Sequence, residues 1–151
     1  MIGTLIVTHG QLAKELLAAA EVISGGLTGF AAVALDWDDG LEEARKKIRL
    51  GLEQVPRSEG VIILTGMFGD TPSKAAIELA EPGKVEVMSG VNLPMVVRLA
   101  CLERSGRTLS ETVRWLEIKG RRSIRRASQA FAVTATPVPQ APAKTPDRAD
   151  D

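Results

Sequence analysis

Short apolar runs alternate with segments of helical periodicity along this chain, and that alternation constrains the fold more than any other feature. Strands interleaved with amphipathic helices build βαβ units, and the crossover helices force the strands parallel. Residues 2–8 (IGTLIVT) predict a first strand. Leu12, Leu16, Leu17, Ala20 and Ile23 then recur at helical spacing until Gly25 and Gly26 end the helix. Residues 30–35 (FAAVAL) predict a second strand. The helix after it runs through Val55, capped by Asp39, with Leu41, Ala44, Ile48 and Leu52 inward and Glu42, Glu43, Arg45, Lys46 and Lys47 outward. Residues 61–65 (VIILT) are apolar throughout, as a strand buried on both faces requires. A helix near residues 73–80, a strand at 85–88, a helix start at 95–102 and a last helix from Thr108 to about Ser128 complete the pattern. That last helix opens on Thr108 or Ser110 ahead of Glu111, a capping-box arrangement. The fold class that follows is α/β: an open, mainly parallel four-stranded sheet with helices on both faces.

A chain of 151 residues suits one domain. Its 44% hydrophobic residues fill a core that must be aliphatic, because aromatics make up only 3% and tyrosine is absent. The 19 basic and 19 acidic residues cancel, which argues against a nucleic-acid partner. The basic stretch at 119–126 (KGRRSIRR) reads as a solvated helix face that complements the helix dipole. No apolar run approaches the ~20 residues that cross a bilayer, and the N-terminus enters a strand at once without the charged lead of a signal peptide. The expectation is a cytoplasmic chain with no direct membrane insertion. Cys101 is the only cysteine, so an internal disulfide and a cysteine-rich metal site are excluded; its apolar helical setting predicts a buried thiol. From Thr134 onward Ala, Pro and Thr dominate without periodicity. The folded domain is therefore assigned to residues 1–132, and residues 133–151 to an extended linker or disordered tail.

In an open parallel sheet, ligands bind beyond the carboxyl ends of the strands, where the connections diverge. Three polar or glycine-rich loops occupy those ends: Thr8, His9 and Gly10, then residues 66–72 (GMFGDTP), then residues 89–94 (SGVNLP). His9 is the sole histidine, which excludes a multi-histidine metal site. It follows a strand and precedes a helix N-terminus, where backbone N–H groups are free to meet an anion. Imidazole titrates near neutrality and is a good covalent phosphoryl acceptor. In the second loop Gly69 permits unusual backbone angles, the amides of Asp70 and Thr71 can form a concavity for phosphate oxygens, and Pro72 suits a first helical turn. The spacing and Lys-Ser/Thr ending of a P-loop are absent, as is the fingerprint of a nucleotide-binding flavodoxin-like domain.

At these loops the sequence resembles the IIA component of the mannose-type sugar phosphotransferase system. The segments that carry the likeness are IGTLIVTHGQLA, VIILTGMFGDTPSKAA and VEVMSGVNLPM, in the family's order and spacing, and it covers roughly residues 1–128. The Ala-Pro tail looks like the linker that joins this domain to a IIB domain in some relatives. The resemblance implies a phosphohistidine carrier that takes phosphate from the small protein HPr and gives it to IIB, with no cofactor. It also implies a homodimer in which each subunit lends a further strand to its partner. Carried over by motif, His9 matches the phosphorylated residue. Thr71 matches the hydroxyl of the phosphate loop, with Gly66, Met67, Phe68, Gly69 and Asp70 beside it and Thr8 and Gly10 flanking the histidine. Asn92 matches a family signature near the site.

One position departs from the pattern. Relatives commonly read T-D-M-F-G-G-T-P, where the Asp hydrogen-bonds the histidine and fixes its tautomer; this chain has Gly66 there and Asp70 where a glycine is usual. Losing that carboxylate should weaken the nucleophile, and Asp70 brings a negative charge near the expected phosphate. Either Asp70, or Asp36 or Asp38 after the second strand, has taken over the orienting role, or phosphorylation is slow. The leading function is a protein-histidine phosphotransferase acting through His9. The alternative is a regulatory binding module that keeps the fold and docking surface while phosphorylation is slow or lost.

Overall fold

A strand with apolar side chains on both faces needs cover on both sides, and the two most apolar runs take the centre of the sheet. The computed structural model describes residues 1–102 and 106–129. Its strands are β1 (Gly3–His9), β2 (Phe30–Leu35), β3 (Val61–Thr65) and β4 (Val85–Ser89). Three helices connect them: α1 (Leu12–Ser24), α2 (Leu41–Leu52) and α3 (Thr71–Ile77); α4 (Leu93–Ala100) and α5 (Leu109–Arg122) follow β4. The strand order is β2-β1-β3-β4, and every neighbouring pair is parallel. Because side chains alternate across a strand, the sheet divides the core in two. Leu5, Val7, Leu35 and Ile63 pack with Ile48 of α2 and Ala75 of α3 on one face. Ile6, Ile62 and Leu64 pack with Ala20 of α1, Val96 of α4 and Leu116 of α5 on the other. Each fully buried Leu or Ile side chain contributes about 1.5–3 kcal/mol, so the two inner strands anchor the molecule.

The order of the strands decides where a site can form. From β1 the chain moves outward to β2, then returns across β1 to β3 and continues to β4. The connections therefore diverge between β1 and β3, where Val7 pairs with Thr65. In open parallel sheets, ligands bind beyond the carboxyl ends of the strands at such a point.

The α/β class and the parallel four-stranded sheet are as the sequence predicts. Several details differ. Gly40, not Asp39, is the N-cap of α2, and the helix ends at Leu52 instead of Val55. Asp39 is drawn instead into a turn with Asp36 and Lys47. Gly51 replaces Leu41 on the buried face of α2, and Leu41 is 38% exposed. The Cys101 thiol is exposed, because α4 is complete at Ala100 and the chain leaves the core there. α5 stops at Arg122, short of Ser128. The boundary at residue 132 and the tail at 133–151 lie outside the described residues, and the exchanged strand is not among the described ones.

Candidate functional site

β1 ends on His9, and the backbone then turns sharply: Gly10 takes a left-handed φ of 59° and its N–H donates to the Leu35 carbonyl of β2 at 2.9 Å. A residue with a side chain rarely adopts that angle, so Gly10 is what sends the chain into α1 directly after the histidine. The hydroxyl of Thr8 is committed to the same turn. Thr8 is buried, and its Oγ1 accepts from the Ala13 N–H at 2.8 Å, satisfying one of the free amides of α1.

The loop after β3 arrives alongside. Gly69 has a φ of 90°, and the chain enters α3 through Asp70. The Asp70 carboxylate is the N-cap of that helix, accepting from the Ser73 N–H at 2.8 Å, with Pro72 in the first turn. Asn92 does the same for α4: its Oδ1 accepts from the Met95 N–H at 3.1 Å. Thr8, Asp70 and Asn92 thus share one local task, each holding a helix start at the carboxyl edge of the sheet. Met67 and Phe68 project outward, 70% and 79% exposed.

The state of the imidazole is distinctive. His9 Nδ1 is buried and has no hydrogen-bond partner. None of the carboxylates weighed from the sequence reaches it. Asp70 is spent on Ser73, Asp36 is ion-paired with Lys47 as is its neighbour Asp39, and Asp38 makes no hydrogen bond to the ring. The Lys47 ammonium, followed by the Asp36 N–H, holds the Asp39 carboxyl below the usual carboxylate range, and the charge of His9 adds a smaller pull in the same direction. At Gly66 there is room for the missing group: a Cβ there would meet only Thr8 Cγ2, at 3.8 Å. Among the described residues no bond engages Nε2, the ring nitrogen left for a partner.

Two features of the site escape a reading of the sequence. The indole of Trp37, beyond β2, stacks on the His9 ring with centroids 4.5 Å apart and planes 8° from parallel. A tryptophan just past the carboxyl end of a strand is a signal that could have been weighed. The second is a hydroxyl chain: Ser89 Oγ lies 2.7 Å from Thr65 Oγ1 and 2.9 Å from Ser73 Oγ, linking the ends of β3 and β4 to the start of α3. No spacing in the sequence announces it, since it depends on strand register.

With this geometry in hand, similarity to known proteins becomes informative. The family model for the PTS system fructose IIA component (EIIA-man) matches residues 3–116. The fructose-specific EIIA component of Bacillus subtilis is 29% identical over 103 residues, covering 68% of this chain and 70% of that protein. The mannose-specific EIIAB component of Escherichia coli K12 is 27% identical over 143 residues; the match covers 94% of this chain, which spans only 44% of that longer protein. Among solved structures, the phosphotransferase system component EIIA from Streptococcus agalactiae superposes with a TM-score of 0.75 at 20% identity, covering 85% of this chain and 99% of that one. The family match takes in most of the chain, and the protein belongs to that family as a IIA component of the mannose and fructose type of phosphotransferase system.

Proposed function

We propose that this protein is a phosphocarrier in which His9 accepts a phosphoryl group from phospho-HPr and passes it to a IIB component, working in the cytoplasm as a homodimer built on residues 1–132. The observation that carries the reading is the position of the only histidine, at the carboxyl end of a central strand beside the point where the sheet connections diverge. In the transfer, the lone pair on Nε2 forms a new N–P bond while the donor's N–P bond breaks and its electron pair returns to the donor imidazole. The chain's own contribution is positioning. The loop of Gly66, Met67, Phe68, Gly69, Asp70 and Thr71 lies beside the acceptor and lends backbone amides to the phosphoryl oxygens. The exposed Met67 and Phe68 side chains offer an apolar rim for a protein partner.

The unpartnered Nδ1 bears on rate. For Nε2 to attack, the ring proton must sit on Nδ1, and a buried donor without an acceptor costs about 1–3 kcal/mol. The wild-type carrier is therefore slow for its kind, and the alternative of a regulatory module draws its support from the same atom. Incubation with phosphoenolpyruvate, enzyme I and HPr tests the proposal. It predicts one acid-labile phosphoryl group on the wild type and none on His9→Ala. Absence of labelling on the wild type, with HPr verified as phosphorylated, would refute it and leave the regulatory module.

A further inference from the structure

Trp37 is one of only two tryptophans in the chain and is 80% exposed, an unusual state for so large an apolar side chain. The turn that carries it is braced. Asp39 Oδ2 accepts from the Asp36 N–H at 2.8 Å and from Lys47 Nζ at 2.6 Å; Lys47 also reaches Asp36 Oδ2 at 3.0 Å, and the Asp39 N–H donates to the Asp36 carbonyl at 3.1 Å. Lys47 belongs to α2, whose Ala44 and Ile48 are fully buried. Residues 36–39 are thus tied to a packed helix, and the indole is presented by an ion-paired turn instead of by burial. Among the described residues its one ring-to-ring contact is the near-parallel stack on His9.

On the other side of that stack is an imidazole that makes no side-chain hydrogen bond among the described residues. Its Nδ1 has no partner, and residue 66 has no side chain to supply one. A face-to-face stack restrains the tilt of both rings while leaving their edges uncovered, so it can orient the ring without blocking a nitrogen. We infer that Trp37 is a positioning residue for His9: its indole face sets the plane of the imidazole that accepts the phosphoryl group, a task that a hydrogen-bonding carboxylate at residue 66 would otherwise share. This inference rests on the phosphocarrier reading and deepens it. It also separates Trp37 from Met67 and Phe68, which are exposed without a ring partner among the described residues and can serve docking alone.

The test combines a spectroscopic and a kinetic arm in one set of variants. In Trp115→Phe the indole emission comes from Trp37 alone. Face contact with the imidazole ring perturbs indole emission, so the Trp37 emission of Trp115→Phe differs from that of Trp115→Phe/His9→Ala. In the kinetic arm, Trp37→Ala lowers kcat for phosphoryl acceptance from phospho-HPr by about two- to tenfold, equivalent to about 0.4–1.4 kcal/mol, with KM little changed. Trp37→Phe recovers most of the loss. In a Gly66→Asp background the loss shrinks, because the carboxylate then orients the ring and the two effects are not additive. An unchanged kcat, a loss confined to KM, or an equal loss in both backgrounds would overturn the inference. A wild type that accepts no phosphoryl group overturns the phosphocarrier reading itself. The fluorescence arm then decides the stack alone, and emission that ignores His9 contradicts it.

Discussion

In the proposed phosphoryl transfer, Gly66 and His9 are the two residues on which the chemistry would turn. The structure leaves His9 Nδ1 buried without a partner and leaves open space around the position of a Cβ at residue 66. A carboxylate there would stabilise the tautomer in which Nε2 carries the lone pair if it accepts the Nδ1 proton, as the resemblance to relatives with Asp at this position implies. Outer partners of this kind are typically worth 10–100-fold in activity at sites where an imidazole must be oriented. Gly66→Asp should therefore raise the rate of phosphoryl acceptance by about tenfold or more, measured by rapid mixing with phospho-HPr. A rate that stays level would mean that the ring is already well oriented. The position of the only histidine at the end of a strand was legible in the sequence, because the apolar run before it marks the strand. The fate of Asp70 was not legible. A carboxylate three residues ahead of Ser73 can serve a helix cap or a neighbouring ring, and only the geometry assigns it to the cap.

Helix starts carry much of the positioning at the scale of elements. α5 opens on a full capping box: Thr108 Oγ1 accepts from the Glu111 N–H at 3.3 Å, and Glu111 Oε2 accepts from the Thr108 N–H at 2.8 Å. Thr108→Ala should cost about 1 kcal/mol at neutral pH, read from urea unfolding. The Thr108 N–H, followed by its hydroxyl, holds the Glu111 carboxyl below its usual range. A carboxyl lowered in the folded state stabilises above its unfolded value, about 4.3, and loses that effect as pH falls through the folded value. The deficit of Thr108→Ala relative to wild type should accordingly narrow at acid pH; a deficit independent of pH would assign the loss to packing. This cap is readable as a pattern in the sequence, whereas that of α2 is not. Asp39 has the right chemistry, but Lys47 and the Asp36 N–H compete for its carboxylate and win, leaving Gly40 at the helix start.

Across the whole molecule, the close approach of α2 to the sheet controls how the site's two sides are held. Gly51 faces β1 and β2, and a Cβ there would lie 2.6 Å from Val33 Cγ2 and 2.9 Å from Leu5 Cδ1. Alanine would gain about 1 kcal/mol in helix propensity, but overpacking against the fully buried Leu5 costs about 1–3 kcal/mol. The clash should prevail, so Gly51→Ala lowers the urea midpoint; a higher midpoint would show that α2 can lift without cost. Sequence periodicity disclosed the strands and the parallel class because buried strands leave a strong apolar signature. It could not disclose this contact, since a glycine in a helix reads as a weak point until its neighbours are known. Nor could it place Trp37 over His9, which depends on β1 and β2 ending side by side, with His9 paired to Leu35.

In the proposed transfer Nε2 of His9 receives the phosphoryl group, because Nδ1 is buried and Nε2 is not engaged among the described residues. Phosphorus–nitrogen correlation NMR on the phosphorylated, nitrogen-labelled protein tests it most directly. A single phosphorus resonance coupled to His9 Nε2 is expected, whereas coupling to Nδ1, or a phosphoryl group on any other residue, would contradict the proposed transfer.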